Sequence, residues 1–113
     1  MTARSTQLAA YHSTAAFTGT VFTCPTGWRT IVKSVSAFNT TAASSLVQSY
    51  VYHPANGAYV LTLNSTLQAN TASFWDGWVV LNPGDLLQVA LQVAGINVWA
   101  SGTLLRLTGA EPL

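Results

Sequence analysis

The sequence predicts an all-β domain, an antiparallel β-sandwich of jelly-roll type with about eight strands. Three observations carry that prediction. Apolar and polar residues alternate with a period of two, β-branched residues are abundant, and turn signals recur at short intervals with no amphipathic helix pattern between them. Antiparallel sheets that bury one face against each other solve the exposed-edge problem with short connections, which favours the sandwich; a barrel is the alternative.

Taken in order, Met1 to about Ala16 reads as an amino-terminal arm, and residues 17–113 as a single sandwich domain. The arm alternates Ser and Thr with Ala and offers little apolar surface for ordering against one core, so it is expected to reach a neighbouring subunit or a particle. Thr18–Cys24 reads as a strand closed by Pro25-Thr26-Gly27, and Trp28–Asn39 as a long strand whose two faces are both partly apolar. Leu46–His53 and Ala58–Asn64 form a hairpin around Asn56-Gly57, a pair that supplies the positive-φ residues of a tight turn. Asp76-Gly77 is expected to be a second hairpin turn, between Ser73-Phe74-Trp75 and Trp78–Leu81, and Asn82-Pro83-Gly84-Asp85 a third. In Leu86–Val93 the residues Leu87, Val89, Leu91 and Val93 share one side, which is assigned to the core. Ala94-Gly95 leads into the last strand, Ile96–Leu107, where Ile96, Val98 and Ala100 fall out of phase with Leu105 and Leu107, so Gly102 is expected to be a β-bulge that switches the apolar side.

Composition narrows the function. Of the 113 residues 50% are hydrophobic and only 6% charged, with a formal net charge of +1. Soluble domains usually carry about 25% charged residues, so this surface must be polar and nearly neutral. Little self-repulsion then keeps copies apart, and association is expected. The basic residues Arg4, Arg29, Lys33 and Arg106 are scattered along the chain, which argues against nucleic acid as a partner. Thr, Ser, Asn and Gln interrupt every apolar run, which argues against a membrane span. No secretory leader is visible before Phe17, and the single Cys24 allows no internal disulfide.

The inventory for catalysis is thin: His12, His53, Cys24, Asp76, Asp85 and Glu111. Asp76 and Asp85 fall in expected turns, where Asp bonds the nearby backbone. Glu111 lies in the terminal tail. His12 and His53 are far apart in sequence with no Cys or carboxylate at ligand spacing, and Cys24 has no neighbouring base to activate it. There is no glycine-rich phosphate loop. The reading is therefore no enzyme, no metal and no cofactor. Asn39-Thr40-Thr41 and Asn64-Ser65-Thr66 match the glycosylation sequon but are discounted without a leader. Across an Asp76-Gly77 turn, Trp75 and Trp78 would oppose each other on one face, as core filling, as protein-contact residues or as a sugar-stacking platform. Leu8, Tyr11 and Phe17 are spaced to anchor the arm at a few pockets, so the candidate interface is Leu8, Tyr11, Phe17, Trp75 and Trp78.

The order Pro25-x-Gly27, Ile31-Val32-Lys33-Ser34-Val35, Asn39-Thr40-Thr41, Trp75-x-Gly77, Val80-Leu81-Asn82-Pro83-Gly84-Asp85-x-Leu87 and Val98-x-x-Ser101-Gly102 resembles small structural proteins of tailed bacteriophages, of minor tail, head-fibre or capsid-decorating type. The likeness spans Thr18 to Leu107 and consists of turn and strand signatures, so no functional residue carries over. It implies a virion building block made in a bacterial cytoplasm, a symmetric homo-oligomer, most simply a trimer, bound to major capsid or tail proteins. A receptor- or glycan-binding module at a fibre or tail tip is the alternative.

Overall fold

The computed structural model describes residues 3–107. Eight strands follow in order: β1 Ala3–His12, β2 Phe17–Thr23, β3 Trp28–Asn39, β4 Ser45–His53, β5 Ala58–Leu67, β6 Ala72–Leu81, β7 Leu86–Leu91 and β8 Ile96–Arg106. One sheet has the order β1-β8-β3-β6 and the other β2-β7-β4-β5, with every pairing antiparallel. The pairs β1/β8, β2/β7, β3/β6 and β4/β5 are nested, as in one long hairpin rolled up so that its strands fall alternately into the two sheets. That is the jelly roll expected from the alternation and turn spacing.

The inner faces meet in a core of Val32, Val35 and Ala37 from β3 and Ile96, Val98 and Ala100 from β8 on one side. Val47, Val51, Leu63, Leu87, Val89 and Leu91 come from the other. Each of the Val, Leu and Ile side chains among these contributes on the order of 1.5–3 kcal/mol by leaving water, and in so small a domain almost every inward position is used. Val93 lies beyond the end of β7 and is exposed, so the core side of that strand stops at Leu91.

Several expectations need correction. Ala3–His12 is not an arm outside the sandwich: it is the edge strand of the first sheet, in register with β8 from Leu105 to Asn97. An edge strand needs only one apolar face plus a ladder, and Leu8, Ala9 and Tyr11 supply that face against the core. Ser13 then locks the segment. Its N–H donates to Ile96 O at 2.9 Å, its O accepts from Gly95 N–H at 2.8 Å, its Oγ donates to Val93 O at 2.8 Å, and that Oγ accepts from Ile96 N–H at 2.9 Å.

Asp76-Gly77 is not a turn. β6 runs unbroken from Ala72 to Leu81, and Gly77 is there because the Trp75 indole folds over it, leaving 2.3 Å between that ring and any added Cβ. The hairpin at Asn56-Gly57 does form, but of the pair only Gly57 takes a positive φ (+71°), with its N–H bonded to His53 O at 2.9 Å.

The apolar side of β8 does not switch. Ile96, Val98, Ala100, Gly102 and Leu104 all face inward, and Leu104 rather than Leu105 keeps the phase. Gly102 marks the irregularity, but the extra residues sit on its neighbours: Leu8 in β1 and Lys33 in β3 are unpaired where the registers slip. The bulge at Lys33 puts Val32 and Val35 both inside, and Lys33 and Ser34 both outside, which resolves the mixed pattern of β3. At this point the Ile31 carbonyl approaches β8 so closely that a Cβ on Gly102 would lie 1.9 Å from its oxygen.

Gly102→Ala is therefore expected to cost at least about 2 kcal/mol, because the obstacle is backbone. Gly77→Ala should cost less, since the Trp75 ring can swing away. Midpoints of urea unfolding, compared at equal slope, test the order.

Candidate functional site

The outer face of the first sheet is the most varied surface of the molecule. Its rows follow from the register: His12, Asn97 and Phe38; then Ala10, Trp99, Ser36 and Phe74; then Gln7, Ser101, Ser34 and Asp76; and beyond the bulge Ser5, Thr103, Ile31 and Val80. Trp99 has Ala10 on one side and Ser36 on the other, so nothing bulky covers its ring, and it is 44% exposed. His12 Nδ1–H donates to Asn97 Oδ1, and a niche of about 170 Å³ is framed by these two residues with Ala10, Tyr11 and Trp99. On the other side of the Ser34–Ser101 hydroxyl pair (2.5 Å), a cleft of about 390 Å³ lies over the bulge, lined by Ser5, Thr6, Lys33, Ser101, Gly102 and Thr103.

A second feature runs down one side wall. β5 and β6 are edge strands of opposite sheets on the same side, joined by the short connection 68–71. Tyr59, Val60 and Leu61 of β5 and Phe74 and Trp78 of β6 are exposed, Phe74 at 73% and Trp78 at 69%. Tyr59 packs on Tyr52 and Tyr50, with ring centroids 4.6 and 5.4 Å away, and so extends the wall onto the outer face of the second sheet.

Of the residues expected at an interface, Leu8, Tyr11, Phe17 and Trp75 are partly buried against the chain's own core, and Tyr11 stacks on Phe17 at 4.7 Å. Trp78 alone is open, and Trp75 and Trp78 point to opposite faces of one strand instead of sharing one. Sequence reading missed Trp99, Phe74 and the Tyr59–Leu61 segment, because period-2 alternation does not say which apolar side meets the other sheet.

The titratable residues are distributed differently from their order in the chain. His53 Nδ1 and Asp85 Oδ2 are 2.6 Å apart although 32 positions separate them, because β4 pairs with β7. The same Asp85 oxygen accepts the Asn82 N–H at 2.9 Å, so this buried carboxylate closes the 82–85 turn and ties it to the end of β4. Cys24 lies nearby: its N–H donates to Asp85 O at 2.9 Å. Its Sγ, however, has Trp28 O at 3.3 Å and Leu81 O at 3.4 Å as acceptors for its single proton and accepts from the Thr30 hydroxyl at 3.2 Å, with no imidazole among these partners. Burial pushes the thiol above its ordinary value, outweighing the lowering effect of the Thr30 bond. Such a sulfur is a packed apolar atom, not an activated nucleophile. Among the described residues no three His, Cys, Asp or Glu side chains come together as a metal site, and no helix is long and apolar enough to cross a membrane. Asp76 stands in strand β6 and not in a turn, and Glu111 lies outside the described residues.

Two further placements change the reading of the sequence. Arg4 and Arg106, at opposite ends of the chain, both sit over Trp28, with guanidinium carbons 5.4 and 5.6 Å from its ring centroid. Asn39 is fully buried. Its Nδ2 donates to Ala43 O and Leu67 O at 2.8 and 3.1 Å, and its Oδ1 accepts from the Thr41 N–H and hydroxyl at 2.9 and 2.7 Å. The first sequon is thus a structural pin for the 40–44 loop, with no amide free for a glycan.

No family model and no curated protein matches this chain. Solved structures share its fold. A chain of infectious bursal disease virus, Gx strain, superimposes with a TM-score of 0.57 at 13% identity, covering 98% of this chain and 34% of that one. A chain of the T13 particle of the same virus gives 0.55 at 11% identity, covering 90% and 30%. The Drosophila NLP core, a structure bearing on pentamer formation and histone binding, gives 0.50 at 14% identity, covering 94% of this chain and 100% of that one. This chain spans about a third of the viral chains it resembles. The likeness is one of fold, and the viral neighbours come from a virus that is not a tailed bacteriophage.

In native protein a disulfide reagent is expected to leave Cys24 untouched, whereas one thiol should titrate in denaturant. The unfolded thiol ionises near 9.0 and the folded one higher. As pH rises through that window the unfolded chain releases a proton that the folded chain keeps, so stability falls. Unfolding free energies of the native protein and Cys24→Ala, measured from about pH 8 to about pH 10, should therefore converge, because the variant lacks this term.

Proposed function

We propose that this chain is a non-enzymatic structural component of a virus particle that associates with copies of itself through the β5–β6 wall. The observation that carries the reading is the clustering there of Tyr59, Val60, Leu61, Phe74 and Trp78, five of the seven large hydrophobic residues exposed among those described. Exposed apolar side chains along two neighbouring edge strands of a domain with almost no charge mark a contact surface, and aromatic side chains dominate the energy of such contacts. The edges of β5 and β6 also present unpaired backbone groups, which a neighbouring copy can satisfy. The fold shared with chains of a virus particle and with the NLP core supports assembly in general.

The finer reading is a capsid-decorating or minor tail protein of a tailed bacteriophage, assembled as a trimer in the bacterial host cytoplasm and bound to major capsid or tail proteins. It rests on the turn and strand signatures from Pro25 to Gly102. Of the interface residues expected from sequence, Trp78 keeps its place in this proposal. Trp75 packs behind that surface in β6, whereas Leu8, Tyr11 and Phe17 pack against the core from β1 and β2, the edge strands on the opposite side of the sandwich.

Sedimentation equilibrium should give a mass that is a multiple of 12.0 kDa, three-fold for the trimer. Leu61→Ser and Trp78→Ser, both at exposed positions, should each weaken association at least about ten-fold, equivalent to about 1.4 kcal/mol, with unfolding midpoints little changed. A single-chain mass for the unaltered protein at high concentration overturns the proposal, as does an unchanged mass for both variants.

A further inference from the structure

The outer face of β1, β8 and β3 adjoins the β6 part of that wall through the row of Trp99, Ser36 and Phe74, but its chemistry is of another kind. At one end of it the Trp99 ring is open, flanked by Ala10 and Ser36. Beside it Asn97 spends its carbonyl on the His12 N–H, which turns its amide N–H donors away from that bond. Two to three residues further along β8, roughly 7–10 Å at strand spacing, the cleft over the bulge gathers the Ser5, Ser101 and Thr103 hydroxyls around Lys33, the one lysine of the chain, with no carboxylate in its lining. The bulge is what aims Lys33 there: in regular register either Lys33 or Ser34 would turn inward. Both recesses are shallow and open. An apolar or aromatic peptide side chain would want an enclosed apolar pocket, whereas an indole platform bordered by amides and hydroxyls suits the apolar face and hydroxyl rim of a pyranose ring. The ammonium beside it suits a carboxylate, and Asp76, on the same face across Ser34, is the acidic neighbour with which an incoming carboxylate competes.

We infer that this face is a binding site for a carboxylated saccharide, one sugar ring stacking on Trp99 within reach of Asn97 and the carboxylate lying against Lys33. The inference does not rest on the proposed self-association, which centres on the β5 and β6 edges and not on β1 and β8. The exposed ammonium makes the charged contact sensitive to salt, and an open face of this kind binds weakly, with a dissociation constant on the order of 0.1–1 mM.

The test uses the full chain, intrinsic tryptophan fluorescence and calorimetry, and two matched pairs of probes: sialyllactose with lactose, and trigalacturonic acid with its methyl ester. At least one acidic probe should bind, and its neutral partner should bind at least ten-fold more weakly. Trp99→Ala should weaken the acidic probe at least ten-fold, and Lys33→Gln should reduce its affinity to that of the neutral partner without altering the latter. Sedimentation of the same variants should show the unaltered oligomer mass. The inference is overturned if neither acidic probe binds at millimolar concentration, if acidic and neutral partners bind equally, or if Trp99→Ala changes the oligomer mass, which would make the face a contact between copies. Leu61 lies in the other sheet and reports on self-association alone, so the two proposals fail separately.

Discussion

The close passage of the Ile31 carbonyl over Gly102 is the constraint on which the arrangement of the first sheet depends. Strands β1 and β3 both carry an extra residue at this level, Leu8 and Lys33, while β8 between them stays regular. The slip lets Val32 and Val35 enter the core together although they are three positions apart, a step that regular alternation would place on opposite faces, and it sends Lys33 and Ser34 outward together. One irregularity thus completes the core on one side and opens the polar cleft on the other. A bulge costs ladder hydrogen bonds and persists because both faces use the result.

A chain with 6% charged residues has few ion pairs with which to tie its loops, and hydrogen bonds to buried polar side chains do that work. Ser13 joins the β1–β2 connection to the β7–β8 turn, Asn39 pins the 40–44 loop, and Asp85 with His53 holds the 82–85 turn against β4. These groups are buried and satisfied, so each would cost about 1–3 kcal/mol to leave unpaired. They fix the connections of the jelly roll more sharply than packing of Val and Leu alone would.

The same rolled hairpin is found in chains of a virus particle and in the NLP core, so the architecture underdetermines the function. What distinguishes this chain is how its surfaces divide. The wall of β5 and β6 is aromatic and apolar, the outer face of β1, β8 and β3 combines one open indole with amides, hydroxyls and a single ammonium, and one end of the first sheet gathers two arginines on Trp28.

The sequence by itself determined the fold class, most strand positions and the Asn56-Gly57 turn, because alternation and turn chemistry are local properties of the chain. It also determined the inward side of β7 from Leu87, Val89 and Leu91, where alternation is uninterrupted. Only the tertiary structure decided what depends on partners distant in sequence. Asp76-Gly77 reads as a turn until the Trp75 ring is seen to occupy the space above Gly77. The first residues read as an arm until β8 supplies the ladder and Ser13 the lock. Arg4 and Arg106 read as scattered until the pairing of β8 with both β1 and β3 brings both ends of the chain to Trp28, and His53 and Asp85 meet because β4 pairs with β7. The exposed aromatic residues were hidden because a strand with two apolar sides does not reveal which one faces the opposite sheet; that choice is made by the register of its neighbours.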